Sequence, residues 1–199
     1  MAAKLARRLR ATLYSREDVV VLAKDLGDVT EMTSNDALRV EELRARHLPA
    51  LYEFNSARCN SAADRRTAGR LRRGYRGFVA YVGDELVGYY WWVDREIEPH
   101  HGDMARYGLD IELGPDEVYG FDYFLLEAHR GGGNSMEFLH KVESALRDLG
   151  YRTLWGYVIA GNKPARWLYG LRGYTSVRRS SARRVLTRRV ASDGETAQA

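Results

Sequence analysis

The chain has 199 residues, 45% apolar and 29% charged, enough for one domain with a buried core and short terminal extensions. No run of about 18 apolar residues occurs, which excludes a membrane-spanning helix, and the single cysteine, Cys59, excludes an internal disulfide framework and fits a reducing compartment. The net charge of +4 is unevenly placed: residues 1–16 and 178–189 hold eleven of the 31 Lys and Arg and no acid, which leaves residues 17–177 at −5.

The Arg-rich start reads either as an organelle transit segment or as a basic surface helix. It lacks the apolar run of a secretory signal, so the expected location is the cytoplasm. Leu13 to Leu26 predicts one or two short strands around Val19-Val20-Val21-Leu22. Thr30 to Asp36 is polar and turn-like, which divides the chain into a basic extension over 1–37 with a short hairpin, a main domain over 38–190, and a disordered tail over 191–199. Leu38–Leu43 predicts a strand, Arg46–Arg58 a helix and Ala62–Arg73 a second, basic one. Phe78–Val82 and Leu86–Val93 read as two strands of a hairpin joined across Gly83-Asp84-Glu85.

Asp94 to Glu117 is long, polar and acidic, the pattern of a functional or mobile loop. Val118–Leu126 returns to strand character. Three glycines follow, then a helix from about Asn134 to Leu149 whose apolar stripe is Met136, Leu139, Val142, Leu146 and Leu149. Thr153–Ile159 predicts a strand, Lys163–Leu171 a short helix and Tyr174–Val190 a last hairpin. This order predicts a mixed α/β (α+β) domain with a β-α-β unit whose glycine-rich turn lies at a strand's carboxyl end, where open sheets bind ligands.

Two segments carry chemistry. In the first, Arg130-Gly131-Gly132-Gly133-Asn134-Ser135 precedes an amphipathic helix. Glycines let consecutive N–H groups turn toward one point, and the first helical turn adds unpaired donors and a positive dipole end, so the segment predicts a phosphate cradle with Arg130 beside it. No Gly-Lys-Ser/Thr follows and position 136 is Met, so neither a Walker loop nor a G-x-G-x-x-G fingerprint is present. A plain strand-to-helix turn is the alternative. In the second, Asn162 is placed to cap a helix with Pro164 in its first turn and Gly173 at its end, a pattern that a capped amphipathic helix also explains.

In this order and about 30 residues apart, the two segments resemble the GNAT superfamily of N-acyltransferases. That family's coenzyme A loop, R/Q-x-x-G-x-G/A, is matched by Arg130, Gly133 and, less well, Ser135. Its later motif is matched by Asn162, Ala165, Tyr169 and Gly173-Tyr174. The resemblance covers roughly residues 38–185, with two departures: Asn134 replaces an aliphatic residue, and Ser135 stands where Gly or Ala is usual.

The resemblance implies a mostly antiparallel sheet with a central splayed parallel strand pair, here Val118–Glu127 and Thr153–Ile159, flanked by helices. It implies acetyl-CoA or another acyl-CoA as co-substrate, no metal, and a primary amine acceptor attacking the thioester directly. Leu125, Leu126 and Glu127 are then expected along the pantetheine arm, and Arg130, Gly131, Gly132, Gly133, Asn134 and Ser135 around the pyrophosphate. Asn162 and Ala165 also fall beside pantetheine. Tyr169 takes the place of the acid that protonates the thiolate, and a backbone donor near Leu125 is expected to face the thioester oxygen. Asp122 is the first choice for the base, ahead of Glu112, Glu117, Tyr123 and Tyr157.

Residues 94–127 hold ten acids against Arg95 and Arg106, which predicts either a rim that steers a cationic acceptor or an ordinary solvated loop. Two other readings stay open: a catalytically silent acyl-CoA-binding regulatory domain, and a nucleic-acid module built on Arg178-Arg179, Arg183-Arg184 and Arg188-Arg189, which the acidic body disfavours. Tyr89-Tyr90-Trp91-Trp92 reads as sheet core, or as the lining of a long acyl chain. A homodimer is left open, and the histidines and Cys59 show no metal-ligand spacing.

Overall fold

Alternating and continuous apolar runs between residues 76 and 125 dictate sheet, and the computed structural model bears this out. It describes residues 14–29, 37–58, 61–97, 104, 107–185 and 188–196, with side chains left aside for 14–16, 61–62 and 183–196. The described residues group into two compact units, one from Asp25–Ile97 and Leu113–Leu154, the other from Met1–Lys24, Glu98–Glu112 and Trp155–Ala199.

The first unit is an antiparallel meander in the order β2-β3-β4-β5: β2 Leu38–Glu42, β3 Arg76–Val82, β4 Glu85–Asp94 and β5 Glu117–Leu125. The expected hairpin closes Val82 onto Glu85 across Gly83-Asp84. β4 is buried from Leu86 to Asp94, on both faces, which accounts for its unbroken apolar run. Tyr89-Tyr90-Trp91-Trp92 are therefore core. Helices α1 Leu48–Ala57 and α2 Ser61–Arg72 accompany helix α3 Asn134–Asp148.

Helix α3 buries Phe138, Leu139, Val142 and Leu146 together with Glu137 and Glu143. Of the predicted stripe, Leu139, Val142 and Leu146 are buried, Met136 is half-buried, and Leu149, past the last turn, is 52% exposed. Phe138, at 0% exposure, meets Tyr123 of β5 at 5.3 Å between ring centres, an aromatic contact that fixes the helix against the strand. Arg152 N and Thr153 N donate to the Asp116 carbonyl at 2.7 and 3.2 Å, which brings the start of the next strand beside the start of β5.

In the second unit β1 Tyr14–Asp25 pairs antiparallel with β7 Thr175–Val185, and β7 pairs with β8 Arg188–Thr196. β6 Thr153–Ile159 lies on the other side of β1, where Ala160 N donates to Asp18 O at 2.8 Å, and helix α4 spans Lys163–Leu171. Two pairings bear on the expected division of the chain. Residues 14–25 form one continuous strand of the sheet instead of a hairpin in an extension, because β7 supplies its hydrogen-bond partner over ten register pairs. Residues 191–196 are a strand paired to β7, not a disordered tail. The Thr30–Asp36 boundary, the 1–13 basic segment and the His100-His101 pair lie outside the described residues.

The acidic stretch after Asp94 is also not simply solvated. Met104, Tyr107, Leu109 and Ile111 are buried, Tyr107 Oη donates to Glu17 at 2.7 Å, and Ser180 Oγ donates to the Tyr107 carbonyl at 2.7 Å. The fold class is the expected one, a mixed α/β arrangement, mostly antiparallel with one parallel pair. Among the described residues no helix is long and apolar enough to cross a membrane.

One backbone approach tests this packing. The Tyr90 hydroxyl occupies the space where a Cβ on Gly120 would stand. Gly120→Ala is expected to lower the unfolding free energy by about 1–3 kcal/mol, read as a lower denaturation midpoint in urea.

Candidate functional site

β5 hands the chain to the glycine loop through a short turn. Leu126 N donates to Val87 O on β4 at 2.8 Å, Glu127–His129 make a 3-10 turn, and Arg130 N returns to the Glu127 carbonyl at 3.2 Å. Gly132 and Gly133 follow with φ of 61° and 85°, conformations that side chains resist. Asn134 N donates to Gly131 O at 3.2 Å, and Glu137 N to Gly133 O at 2.9 Å begins the ladder of α3.

Five amides stand outside this scheme. Those of Gly131, Gly132, Gly133, Ser135 and Met136 have no acceptor among the described residues. They are gathered at the positive end of a 15-residue helix. A Cβ on any of the three glycines would meet nothing within 4 Å, so the surface above them is open. Positive φ accounts for glycine at 132 and 133. Neither φ nor crowding accounts for it at 131. The arrangement fits the oxygens of a phosphate or pyrophosphate.

The side chains of this loop are turned otherwise than expected. Arg130 Nε donates to the Leu125 carbonyl at 2.9 Å, and Ser135 Oγ donates to the Arg130 carbonyl at 3.2 Å. The Leu126 amide is committed to β4, where it donates to Val87 O. The Glu127 amide, in contrast, has no acceptor among the described residues.

Asp122 lies at an irregularity of β5. The register steps from Tyr89↔Phe124 to Trp91↔Phe121, three residues of β5 against two of β4, and Asp122 takes φ of 52°. The extra residue puts Asp122 toward helix α2, where Arg70 Nη1 donates to Asp122 Oδ2 at 2.6 Å. The sequence pointed to Asp122 by position alone; nothing in it announced the bulge or the Arg70 partner, 52 residues away.

Tyr123 turns to the opposite face, donating to the Ser135 carbonyl at 3.3 Å, and burial pushes its phenol up to about 12. It stays protonated near neutral pH and cannot serve as the base. Of the other acids in 94–127, Asp94 accepts from Tyr151 at 3.0 Å and Glu117 from Gly114 N at 3.0 Å.

In the second unit, Asn162 Oδ1 accepts from Ala165 N at 3.2 Å, so the predicted cap is formed. Tyr169 meets Tyr174 edge-on at 4.8 Å and lines a groove of about 320 Å³ with Val20, Leu22, Val158 and Trp167. The arginine side chains at 183–189 lie outside the described residues, while Arg178 donates to the Asp110 carbonyl at 2.8 Å. Among the described residues no three His, Cys, Asp or Glu come together to hold a metal.

The profile of the acetyltransferase (GNAT) family matches residues 39–174. Among solved structures, a GCN5-related N-acetyltransferase from Sphaerobacter thermophilus superposes with a TM-score of 0.58 at 16% identity, covering 89% of this chain and 54% of that one. An acetyltransferase of the GNAT family from Colwellia psychrerythraea gives 0.59 at 12% identity, over 85% and 56%. AAC(6')-Iy, in complex with the bisubstrate analogue CoA-S-monomethyl-acetylneamine, gives 0.51 at 13% identity, over 68% and 89%. The chain therefore spans little more than half the length of the first two. No curated protein matches the sequence.

Two stability outcomes follow from the loop. Gly132→Ala and Gly133→Ala each lower stability by about 1–2 kcal/mol through positive φ, whereas Gly131→Ala leaves it unchanged or raises it by about 0.4–1 kcal/mol, measured by thermal unfolding. The Tyr123 phenol, raised in the folded state, binds its proton more tightly there than in the unfolded chain. Stability therefore falls as pH rises from about 10 to about 12, and Tyr123→Phe makes that fall shallower in denaturant titrations.

Proposed function

Because the chain belongs to the GNAT acetyltransferase family, we propose that it moves an acetyl or other acyl group from acyl-CoA to a primary amine. The observation that carries this reading is the set of five unpaired amides at Gly131, Gly132, Gly133, Ser135 and Met136, open to solvent at a helix N-terminus. Bound acyl-CoA supplies an activated thioester carbonyl, and every other part of the work falls to this chain.

The five amides, with the Asn134 turn, hold the pyrophosphate. Arg130 adds its charge beside them, and its hold on the Leu125 carbonyl positions the guanidinium at the loop's edge. The Glu127 amide is the free donor for pantetheine, and the Leu125 carbonyl becomes an acceptor when Arg130 turns to the phosphates. In the second unit Asn162 spends its side-chain oxygen on the cap of α4 and keeps its amide nitrogen as a donor for ligand, beside the small Ala165.

An alkyl ammonium must lose one proton before it attacks and a second as the C–N bond forms and the C–S bond breaks. Asp122 takes a proton on Oδ1, since Oδ2 is held by Arg70. Tyr169 gives a proton to the departing sulfur and regains one from solvent. The net exchange is amine and thioester to amide and thiol, with one proton released from the ammonium.

Calorimetric titration tests the binding part. Acetyl-CoA should bind the wild-type chain, and Gly131→Ala should weaken that binding by about 10-fold or more, since its Cβ intrudes where an amide must meet phosphate, at unchanged or higher thermal stability. Equal affinity in the two proteins contradicts the loop's role. For the proton donor, Tyr169→Phe should lower kcat by about 10²–10⁴-fold with little change in the KM for acetyl-CoA; unchanged kcat removes Tyr169.

A further inference from the structure

The open part of β5 is its middle: Phe121 to Phe124 are half-buried, between buried Val118–Gly120 and buried Leu125. Three guanidiniums converge there. Arg70 lies 4.9 Å from the centre of the Phe121 ring and is paired with Asp122. Arg130 lies 5.8 Å from the Phe124 ring and is held by the Leu125 carbonyl. Arg58, at the end of α1, stacks 3.5 Å from the centre of the same Phe124 ring and 5.1 Å from Phe54.

Arg58 differs from the other two. It bonds the Tyr89 hydroxyl but no carboxylate or carbonyl, and its Nη1 is buried with no acceptor among the described residues. Removing a cationic N–H from water without giving it an acceptor costs the donor's full hydration. The stacked ring holds the guanidinium flat, and a flat fork is shaped for the two oxygens of a carboxylate. The Tyr89 hydroxyl lies in the same cluster: burial and Asp122 push its phenol up, while Arg58 and Arg70 pull it down. Arg58, Asp122 and Arg70 therefore all lie within electrostatic reach of one side chain.

Resting on the acyl-transfer reading above, we infer that the amine acceptor carries its own carboxylate, which Arg58 receives while the amine is directed to Asp122. The acceptor class is an amino acid or a short peptide with a free C-terminus. One reading of the acid count of residues 94–127 was a cationic acceptor; the side chains facing Phe121–Phe124 have the opposite sign, with Arg58 in excess of the Arg70–Asp122 pair even when Arg130 is spent on the phosphates.

The test assays the full chain with acetyl-CoA against free amino acids and dipeptides, each also supplied as its C-terminal amide, and against spermidine. Free acids should give kcat/KM about 10- to 100-fold above their amides. Arg58→Gln should bring that ratio to within about 3-fold, and Arg58→Lys should leave an intermediate ratio. Calorimetric binding of acetyl-CoA to both variants, equal to wild type, shows that they are folded and that only the acceptor end is altered. Amides or spermidine accepted as well as the free acids, an acid-to-amide ratio untouched in Arg58→Gln, or acetyl-CoA binding without acetylation of any free acid each overturns the inference while the acyl-CoA reading stands. Absence of acetyl-CoA binding overturns both.

Discussion

Everything proposed for this chain depends on backbone hydrogen-bond donors that the fold leaves unanswered. A helix start always exposes up to four N–H groups, and proteins commonly meet them with a capping side chain. Here the N-cap of α3 is Gly133, which has no side chain to offer, and Ser135 spends its hydroxyl on the Arg130 carbonyl. The deficit is widened by two more glycines instead of being filled. By contrast α4, only 29 residues further on, is capped by Asn162 in the ordinary way. One helix of this chain is finished by its own residues, and the other keeps its first amides without an acceptor among the described residues.

The bulge in β5 is the second organising feature. An extra residue in one strand turns Phe121, Asp122 and Phe124 toward the α1 and α2 side and Tyr123 toward α3. Without it, period-two alternation would place Phe121 and Phe124 on opposite faces. The same step brings the carboxylate of Asp122 to Arg70 and leaves the Phe124 ring as the platform for Arg58. A local irregularity of pairing thus sets both the Asp122 carboxylate and the charges around it. Asp122 tolerates its positive φ better than a branched residue would, which fits an Asp at this step.

Much of this was legible in the sequence where local rules decide. The β3–β4 hairpin, the bounds of β6 and α4, the Asn162 cap and the glycine loop all follow from turn residues, capping residues and apolar period. What escaped was non-local. At the start of α3 Phe138 packs on the Tyr123 ring while Met136, the stripe's first member, is half-buried, which periodicity alone does not reveal. Residues 191–196 look like a tail because Ser, Asp, Gly and Glu carry little strand propensity; β7 pairs them regardless. The bulge needs both strands in register to be seen. Arg58 is in the sequence only the last residue of a predicted helix, and the fold alone shows that its Nη1 is buried without an acceptor among the described residues.

The central claim is best tested at the amides themselves. In ¹⁵N–¹H spectra of the chain titrated with coenzyme A, the signals of Gly131, Gly132, Gly133, Ser135 and Met136 should move together and saturate at one affinity, with the largest shifts in the spectrum. A titration that leaves these five in place, or that moves amides elsewhere while these stay still, contradicts the account.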